Sequence, residues 1–277
     1  MIRHDEGFFS AKDNLRLFWE SDVPQRPKAH VGIVHGYADH CGRYRKFIDA
    51  LVADGFAVHA FDYRGHGQAD GRRGYCERFS DFVDDLETFW GRVRGAAGSQ
   101  KSFLFAHSHG GLMAIHHQMR KPPELAGLVL SAPYLKLALK PPQLKVMAAR
   151  AIEKIVPWLP IKNEIRPEML TRDVEAQRAV ERDHLYNRTV TPRWFNEANA
   201  AQLEAQRMAP QIRLPVSVIC GSEDGIASTE TTREFFQRIG SADKQYKEHP
   251  GMRHEVVNEI GKESVWKDIS GWISKHL

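Results

Sequence analysis

Short apolar runs, bounded by turn residues, alternate with longer stretches of helical periodicity along most of the chain. The runs occupy residues 30–35, 56–62, 102–107, 127–132, 215–221 and 244–249. Apolar residues spaced three and four apart mark helical stretches at 79–94, 229–239 and 263–277. Runs this short fit strands that are buried on both faces of a parallel sheet. The alternation therefore predicts an α/β fold with a mostly parallel sheet and helices on both of its faces.

Two segments depart from this alternation. Residues 7–10 and 15–19 are short alternating runs on either side of a turn-like Lys-Asp-Asn, and they predict an opening β-hairpin. Residues 133–214 carry prolines throughout and show helical spacing from Leu144 to Val156. A structureless loop of that length is uncommon, so we interpret it as a helical insertion. We expect a core domain formed by residues 1–132 and 215–277, with a helical cap, or lid, at 133–214.

Composition and charge place the chain among ordinary globular proteins. Of its 277 residues, 42% are hydrophobic and 27% are charged, which argues against a disordered or collagen-like chain. The formal net charge of +4 is too small to indicate nucleic-acid binding by itself. Positive charge is concentrated in residues 133–214, which contain 14 Lys and Arg against 9 Asp and Glu.

The cysteines and the lack of long apolar stretches indicate in which cellular compartment the protein is expected. Cys41, Cys76 and Cys220 are far apart and form no CxxC pair, so neither a zinc site nor a disulfide framework is expected. The first residues lack an apolar run of signal-peptide length. No stretch of roughly 18 uncharged apolar residues could form a spanning helix. We expect a soluble cytoplasmic protein.

Ser108 lies in the segment that carries the clearest chemical signal. The sequence Phe-Ala-His-Ser-His-Gly-Gly at 105–111 directly follows a predicted strand and opens a helical run. A serine there lies on a tight strand-to-helix turn, with its hydroxyl above the edge of the sheet. Small neighbours such as Gly110 and Gly111 suit such a strained turn. The alternative is an ordinary helix N-cap, where serine is also favoured.

A serine hydroxyl needs a base, and the base needs an acid that orients it. Asp224 and His254 follow the predicted strands at 215–221 and 244–249, in the order Ser, Asp, His that such a turn requires. Strand-end loops of a parallel sheet meet at one edge, so the three side chains are predicted to form a triad. Glu223 competes for the acid position and His249 for the base position.

Backbone N–H groups near the serine predict an oxyanion hole, a pair of donors for a developing negative charge. The N–H of His109, directly after the serine, is one candidate. The N–H of Tyr37, which follows His35-Gly36 in an early strand–helix loop, is the other. The nearby histidines lack HExxH spacing and an acidic cluster, so no metal is expected. We expect His35 and His107 to pack or hydrogen-bond beneath the site.

Five sequence blocks, taken together and in order, match the pattern of a known enzyme group. HGYADHCGRY at 35–44 and DYRGHGQADG at 62–71 stand beside the serine turn, GSED at 221–224 and RHEVVNE at 253–259. They resemble the monoacylglycerol lipase and lysophospholipase group of α/β-hydrolases over roughly residues 8–275. Its first two blocks read HG-x-x-E-H-x-x-R-Y and D-x-x-G-H-G-x-S-x-G. The chain departs from the group at Ala106, His109, Tyr37 and Asp39.

The resemblance implies an α/β-hydrolase fold with a mostly parallel eight-stranded sheet and a helical cap between its sixth and seventh strands. It implies a Ser108–Asp224–His254 triad and oxyanion amides at Tyr37 and His109. The expected activity is hydrolysis of carboxylic esters, with monoacylglycerols or lysophospholipids as the lipid-ester substrate and without a metal or organic cofactor. An acyltransferase or small-ester esterase with the same triad remains open, as does a non-catalytic binding module on this fold.

The cap also raises a question about lipid surfaces. Around its first helix, apolar residues are interleaved with the cations Lys136, Lys140, Lys145, Arg150 and Lys154, and Glu153 is the acidic residue among them. One interpretation is a helix that packs its apolar stripe on the body and leaves its cations in water. The other is an interfacial lid that contacts lipid aggregates, with Trp158 at the boundary and peripheral membrane association as the consequence. The oligomeric state is not indicated.

Overall fold

The computed structural model describes residues 1–120, 124–138 and 143–277, without the side chains of residues 143–146 and 148. Ten strands occur in these residues. They are β1 (Ile2–Ser10), β2 (Arg16–Pro24), β3 (His30–Val34), β4 (Ala57–Asp62), β5 (Ser102–His107), β6 (Gly127–Ser131), β7 (Ile161–Lys162), β8 (Thr189–Val190), β9 (Val216–Gly221) and β10 (Lys244–His249).

Eight of these strands form one sheet in the order β1-β2-β4-β3-β5-β6-β9-β10. β1 and β2 form the predicted hairpin, and β2 pairs antiparallel with β4. The pairs from β4 to β10 are all parallel. The predicted eight-stranded, mostly parallel sheet is therefore confirmed, and the carboxyl ends of β3, β5, β9 and β10 lie at one edge.

Helices cover both faces of the sheet. The α-helices are α1 (Arg45–Ala53), α2 (Phe79–Ala97), α3 (His109–Arg120), α4 (Gln143–Glu153), α5 (Pro167–Leu170), α6 (Val174–Arg182), α7 (Pro192–Met208), α8 (Thr229–Arg238) and α9 (Lys262–Lys275). One apolar cluster lies among α2, α3, α7 and the sheet, and it includes Phe61, Phe89 and Leu112. A second cluster lies among α1, α9 and the opposite face, and it includes Phe47, Phe105 and Trp272. Because both faces are covered, the central strands are buried along their whole length.

The segment between β6 and β9 differs in part from the predicted arrangement of helix and loop. It contains α4 to α7 and also a two-stranded antiparallel ribbon of β7 and β8. Two residues per strand are too few for an alternating pattern to be visible in the sequence. The periodicity up to Val156 also extends beyond α4, which ends at Glu153. Glu153 pairs with Arg193 of α7, with Oε1 3.3 Å from Nε. The division into core and cap remains a prediction.

Glu259 joins this inserted segment to the loop that carries His254. Its buried carboxylate accepts hydrogen bonds from the backbone N–H groups of Arg172, at 2.9 Å, and Arg253, at 3.1 Å. The hydroxyl of Thr171 donates to the same carboxylate at 3.2 Å. Charge-assisted bonds of this kind are the stronger ones, and losing them would leave buried N–H groups without acceptors. The position of the inserted segment is therefore tied to the position of the His254 loop.

No helix among the described residues is both long enough and apolar enough to cross a lipid bilayer. The three cysteines are buried and carry free thiols.

Candidate active site

Ser108 lies at a sharp bend between β5 and α3. Its φ of 53° is in the left-handed region, which residues other than glycine rarely adopt. Two residues on, a Cβ on Gly110 would lie 2.5 Å from the backbone oxygen of His35, so a side chain there would clash with the neighbouring loop. Strained backbone of this kind is concentrated at functional sites. An N-cap serine has extended backbone instead, so the ordinary cap interpretation does not describe this residue.

The structure brings the three residues of the predicted triad into contact. The Oγ of Ser108 lies 2.9 Å from Nε2 of His254, and Nδ1 of His254 lies 2.8 Å from Oδ2 of Asp224. The carboxylate can only accept, so Nδ1 of the imidazole carries the proton and Nε2 accepts from the serine hydroxyl. The side chains of His254 and Asp224 are 4% and 1% exposed, so this chain of hydrogen bonds is shielded from water.

Two opposing effects act on the pKa of His254. Burial disfavours the charged imidazolium and lowers the pKa, whereas the Asp224 carboxylate attracts the added proton and raises it. The carboxylates together outweigh burial, and the pKa lies above the ordinary value of 6.5. His254 is therefore a stronger base than a free histidine, although it is buried.

The two competing residues lie elsewhere. Glu223 is exposed, and its neighbour Asp224 occupies the position against the imidazole. His249 is buried, with Nε2 3.9 Å from Oδ2 of Asp268. Asp224 also accepts hydrogen bonds from the N–H groups of Ile226 and Ala227, at 2.8 and 2.9 Å. These bonds hold the carboxylate at the end of its loop, facing His254.

The two candidate oxyanion donors lie on either side of the serine. His109 follows it as the first residue of α3. A Cβ on Gly36 would lie 3.2 Å from Cβ of Ser108, so the loop that carries Tyr37 passes directly beside the bend. Within residues 1–120, 124–138 and 143–277, neither backbone N–H donates to a protein acceptor. Both groups are therefore free to donate to a bound molecule.

The side chains of these two residues pack against Trp194, which the sequence did not single out. Nε1 of Trp194 donates to Nε2 of His109 at 3.2 Å, and its ring centroid lies 3.8 Å from that of Tyr37. The Tyr37 hydroxyl donates to the backbone oxygen of Thr189 at 2.6 Å. Trp194 belongs to α7. In the sequence, its spacing from the other apolar residues of this helix is that of an ordinary core aromatic residue. No motif in the inserted segment indicates that it reaches the bend.

Other histidines lie beneath the bend in uncharged form. Burial lowers the pKa of His66 and of His107 to about 3, and it lowers the pKa of His35 as well. Nδ1 of His107 lies 3.1 Å from the hydroxyl of Ser131, and Nδ1 of His35 lies 2.8 Å from the backbone oxygen of Gly36. His35 and His107 therefore pack and hydrogen-bond beneath the site, as their sequence positions predicted.

One group among the described residues has side chains arranged as a possible metal site. The ligand atoms of His4, Glu20 and Asp22 lie within 4.8 Å of one another. The guanidinium of Arg45 is 3.5 Å from Glu20 and 2.8 Å from Asp22. Its positive charge opposes the binding of a cation there. The group is on the β1–β2 hairpin and does not take part in the site around Ser108.

A cavity of about 400 Å³ opens beside Ser108 and His254. This volume is in the range of small-molecule binding sites. Its wall is mostly apolar and is contributed largely by the inserted segment, with Leu137, Ile161, Ile165, Leu170, Val190, Trp194 and Phe195 among the lining residues. Polar side chains also line it, among them Lys162, Asn163 and Glu164. The cavity therefore suits a mainly apolar molecule with a polar end.

Comparisons with known proteins bear on the family of the chain. Residues 25–261 match the Hydrolase_4 family, described as serine aminopeptidase, S33. The chain is 30% identical to the monoacylglycerol lipase of Mycolicibacterium smegmatis, over 98% of each protein. It is 28% identical to the phospholipase YtpA of Bacillus subtilis, over 94% of this chain and 99% of that protein.

A solved structure extends the likeness to the whole fold. The monoacylglycerol lipase of Paleococcus ferrophilus superposes with a TM-score of 0.83 at 27% identity, covering 99% of this chain and 100% of that one. The sheet order, the bend at Ser108 and these matches lead to one conclusion. The chain belongs to the Hydrolase_4 family of serine hydrolases and is an α/β-hydrolase of the monoacylglycerol lipase type.

Proposed function

We propose that the protein hydrolyses carboxylic esters of medium or long acyl chains, with monoacylglycerols as the favoured substrates and lysophospholipids as the alternative. The observation that carries this proposal is the hydrogen-bonded series Ser108–His254–Asp224 at the opening of an apolar cavity. Relatives named as a monoacylglycerol lipase and a phospholipase support the substrate class.

In the first half of the proposed reaction, Ser108 Oγ attacks the acyl carbonyl carbon. Nε2 of His254 takes the hydroxyl proton, and the backbone N–H groups of Tyr37 and His109 donate to the oxyanion. Asp224 orients the imidazole and stabilises its positive charge. The tetrahedral intermediate then collapses, His254 gives its proton to the departing alcohol oxygen, and an acyl-Ser108 ester remains.

In the second half, water attacks the acyl-Ser108 carbonyl while His254 takes a proton from it. The second tetrahedral intermediate releases the fatty acid, and the proton returns to Ser108. Every proton in this scheme moves through Nε2 of His254, and each oxyanion-hole donor contributes roughly 10²–10³ in rate. An acceptor alcohol in place of water would make the same residues an acyltransferase.

Ser108→Ala tests the nucleophile. A fluorophosphonate probe is expected to label the natural protein and to leave Ser108→Ala unlabelled, and kcat for ester hydrolysis is expected to fall by roughly 10⁴–10⁶. The measurement is probe fluorescence on a gel together with p-nitrophenyl ester kinetics. Ser99→Ala changes an exposed serine and is the matched control. Undiminished labelling of Ser108→Ala would rule the proposal out.

The pH dependence tests the base. The reaction needs a neutral imidazole, so kcat/KM is expected to fall as pH drops through the pKa of His254. Because that pKa is raised, the acid limb should lie above pH 6.5. Asp224→Asn should lower kcat by roughly 10⁴, since the imidazole loses its orienting acceptor. Glu223→Gln changes the exposed residue next to Asp224 and should leave kcat and the position of the acid limb unchanged. An equal effect of both variants would contradict the assignment.

The lining of the cavity bears on the choice of head group. Beside the apolar wall, Asp39 and Glu255 line the cavity together with Ser108. Arg43 pairs with both carboxylates, so two negative charges share one positive charge. This excess of negative charge would repel a phosphodiester bound near Ser108. The hydroxyl groups of glycerol carry no net charge and would not be repelled. We therefore rank monoacylglycerols above lysophospholipids.

Two substrate series test this ranking. Among p-nitrophenyl esters, the octanoate should exceed the acetate in kcat/KM by at least about tenfold, because each buried CH₂ contributes about 0.8 kcal/mol. A monoacylglycerol should exceed a lysophosphatidylcholine of the same acyl chain by at least about tenfold, or ~1.4 kcal/mol of transition-state free energy. Faster acetate hydrolysis would point to a small-ester esterase. Faster lysophosphatidylcholine hydrolysis would contradict the charge argument.

We also propose that the inserted segment contacts lipid aggregates. Ile155 and Trp158 are 79% and 45% exposed, and the guanidinium of Arg72 lies 5.6 Å from the Trp158 ring. Arg150 is exposed nearby in sequence. Exposed apolar residues beside cations are typical of interfacial segments. Lys140 and the side chain of Lys145, two of the predicted cations, lie outside the described residues.

Removing the apolar residues tests this contact. The double variant Ile155→Ser/Trp158→Ser should bind vesicles of phosphatidylcholine and phosphatidylglycerol at least about tenfold more weakly, because each large apolar side chain contributes roughly 1.5–3 kcal/mol when buried. Hydrolysis of dissolved p-nitrophenyl octanoate should not change. Ile260→Ser, at an exposed position outside the inserted segment, is the control. Unchanged vesicle sedimentation of the double variant would contradict the contact.

A further inference from the structure

A buried group of three charged side chains lies next to His254, and the proposed reaction gives it no role. The guanidinium of Arg43 donates to both oxygens of Glu255, each at 2.8 Å, and its Nη1 also donates to Oδ1 of Asp39 at 2.9 Å. The side chains of Arg43, Asp39 and Glu255 are 9%, 4% and 4% exposed. With both carboxylates ionised, the group has a net charge of −1.

The surrounding structure holds these charges in place. The amide of Asn258 donates to Oε2 of Glu255 at 3.0 Å, and the backbone N–H of His40 donates to Oδ1 of Asp39 at 2.9 Å. The guanidinium also lies 5.5 Å from the ring centroid of Tyr186, a residue of the inserted segment. A group with this many partners is preorganised, so its field on neighbouring atoms is constant during a reaction.

The carboxylates of this group and the imidazole of His254 line the same cavity. Glu255 follows His254 in the chain, and Asp39 and Glu255 line the cavity that Ser108 and His254 also line. Other groups face His254 from two further elements: Asp224 from the loop after β9, and His107 from β5, with ring centroids 4.8 Å apart. Burial lowers the pKa of His107 to about 3, so it is uncharged. Among the described residues, the charges that act most strongly on the pKa of His254 are those of Asp224 and of the two carboxylates of this group, and Lys162 and Glu164 also line the cavity.

Resting on the proposed function, we propose that Asp39, Arg43 and Glu255 are positioning residues that set the proton affinity of His254. The two carboxylates favour the imidazolium that forms as Ser108 attacks, and Arg43 limits their effect. Arg43 also keeps Glu255 ionised, because a buried carboxylate without its guanidinium would take up a proton. Without Glu255, the charges of Arg43 and Asp39 would cancel, and the group would no longer favour proton uptake by His254.

The ionisation of the group agrees with this role. Burial favours the neutral acid of Glu255, but the paired Arg43 outweighs it and lowers the pKa to about 2, so Glu255 is charged wherever the enzyme works. Burial raises the pKa of Asp39 from its usual value, so Glu255 is the carboxylate on whose charge the proposal mainly depends. After burial and Asp224, the causes that act on the pKa of His254 are Glu255 and Asp39, which both raise it.

The pH dependence of the rate provides the test. The measurement is kcat/KM for p-nitrophenyl octanoate against pH in the whole protein. Glu255→Gln keeps the shape and removes the negative charge, so the acid limb should move down by roughly 0.5–1.5 pH units. Arg43→Gln leaves two buried carboxylates without a counter-ion, so one of them should take up a proton and the limb should move by less than in Glu255→Gln. Arg43→Lys keeps the positive charge and should leave the limb at its natural position.

Glu263→Gln is the matched control, because it removes one negative charge from an exposed position on α9 and should shift nothing. A downward shift of the acid limb in Glu255→Gln supports the proposal. An acid limb that stays in place or moves up in Glu255→Gln would overturn it in favour of a merely structural role, whatever the rates of the Arg43 variants.

The outcome for this group is separable from the outcome for the proposed function. If Ser108→Ala loses activity and labelling while the limb stays fixed in the Glu255 and Arg43 variants, the hydrolase mechanism stands and this inference fails. If Ser108→Ala keeps both, the proposed function itself fails.

Discussion

The hydrogen bond between Ser108 Oγ and His254 Nε2 joins residues 146 positions apart, and the chemistry that we propose depends on it. It forms because β5, β9 and β10 run parallel and end at the same edge of the sheet. The left-handed bend raises the serine above that edge, where a side chain at Gly110 would clash with the neighbouring loop. The buried sheet supplies the rigidity that a strained bend requires.

The inserted segment completes the site in two ways. It supplies most of the apolar wall beside Ser108, and Trp194 packs against the side chains of Tyr37 and His109. Glu259 also fixes this segment to the loop that carries His254. A displacement of the segment would therefore disturb the cavity and the imidazole together. In the proposed mechanism, substrate binding and the position of His254 are therefore coupled through Glu259.

Much of the fold could be predicted from the sequence, and so could the contact among Ser108, Asp224 and His254. Both are indicated by short sequence patterns. Apolar runs indicate buried strands, and a serine in a small-residue turn after such a run indicates a bend. The β7–β8 ribbon has too few residues for a periodic pattern. Trp194 could not be assigned to the site, since a helix shows which face is apolar but not what it covers. The blocks contained Arg43 and Glu255, but their pairing depends on tertiary contact.

The central claim is that Ser108 attacks an acyl carbon while the N–H groups of Tyr37 and His109 receive the oxyanion. The most direct measurement is a crystal structure of the protein after reaction with an alkyl fluorophosphonate, which mimics the tetrahedral intermediate. The mechanism predicts phosphorus bonded to Ser108 Oγ, the phosphonyl oxygen about 2.7–3.1 Å from both N–H groups, and the alkyl chain in the apolar cavity. Phosphorus on another residue, or a phosphonyl oxygen directed to solvent, would contradict it.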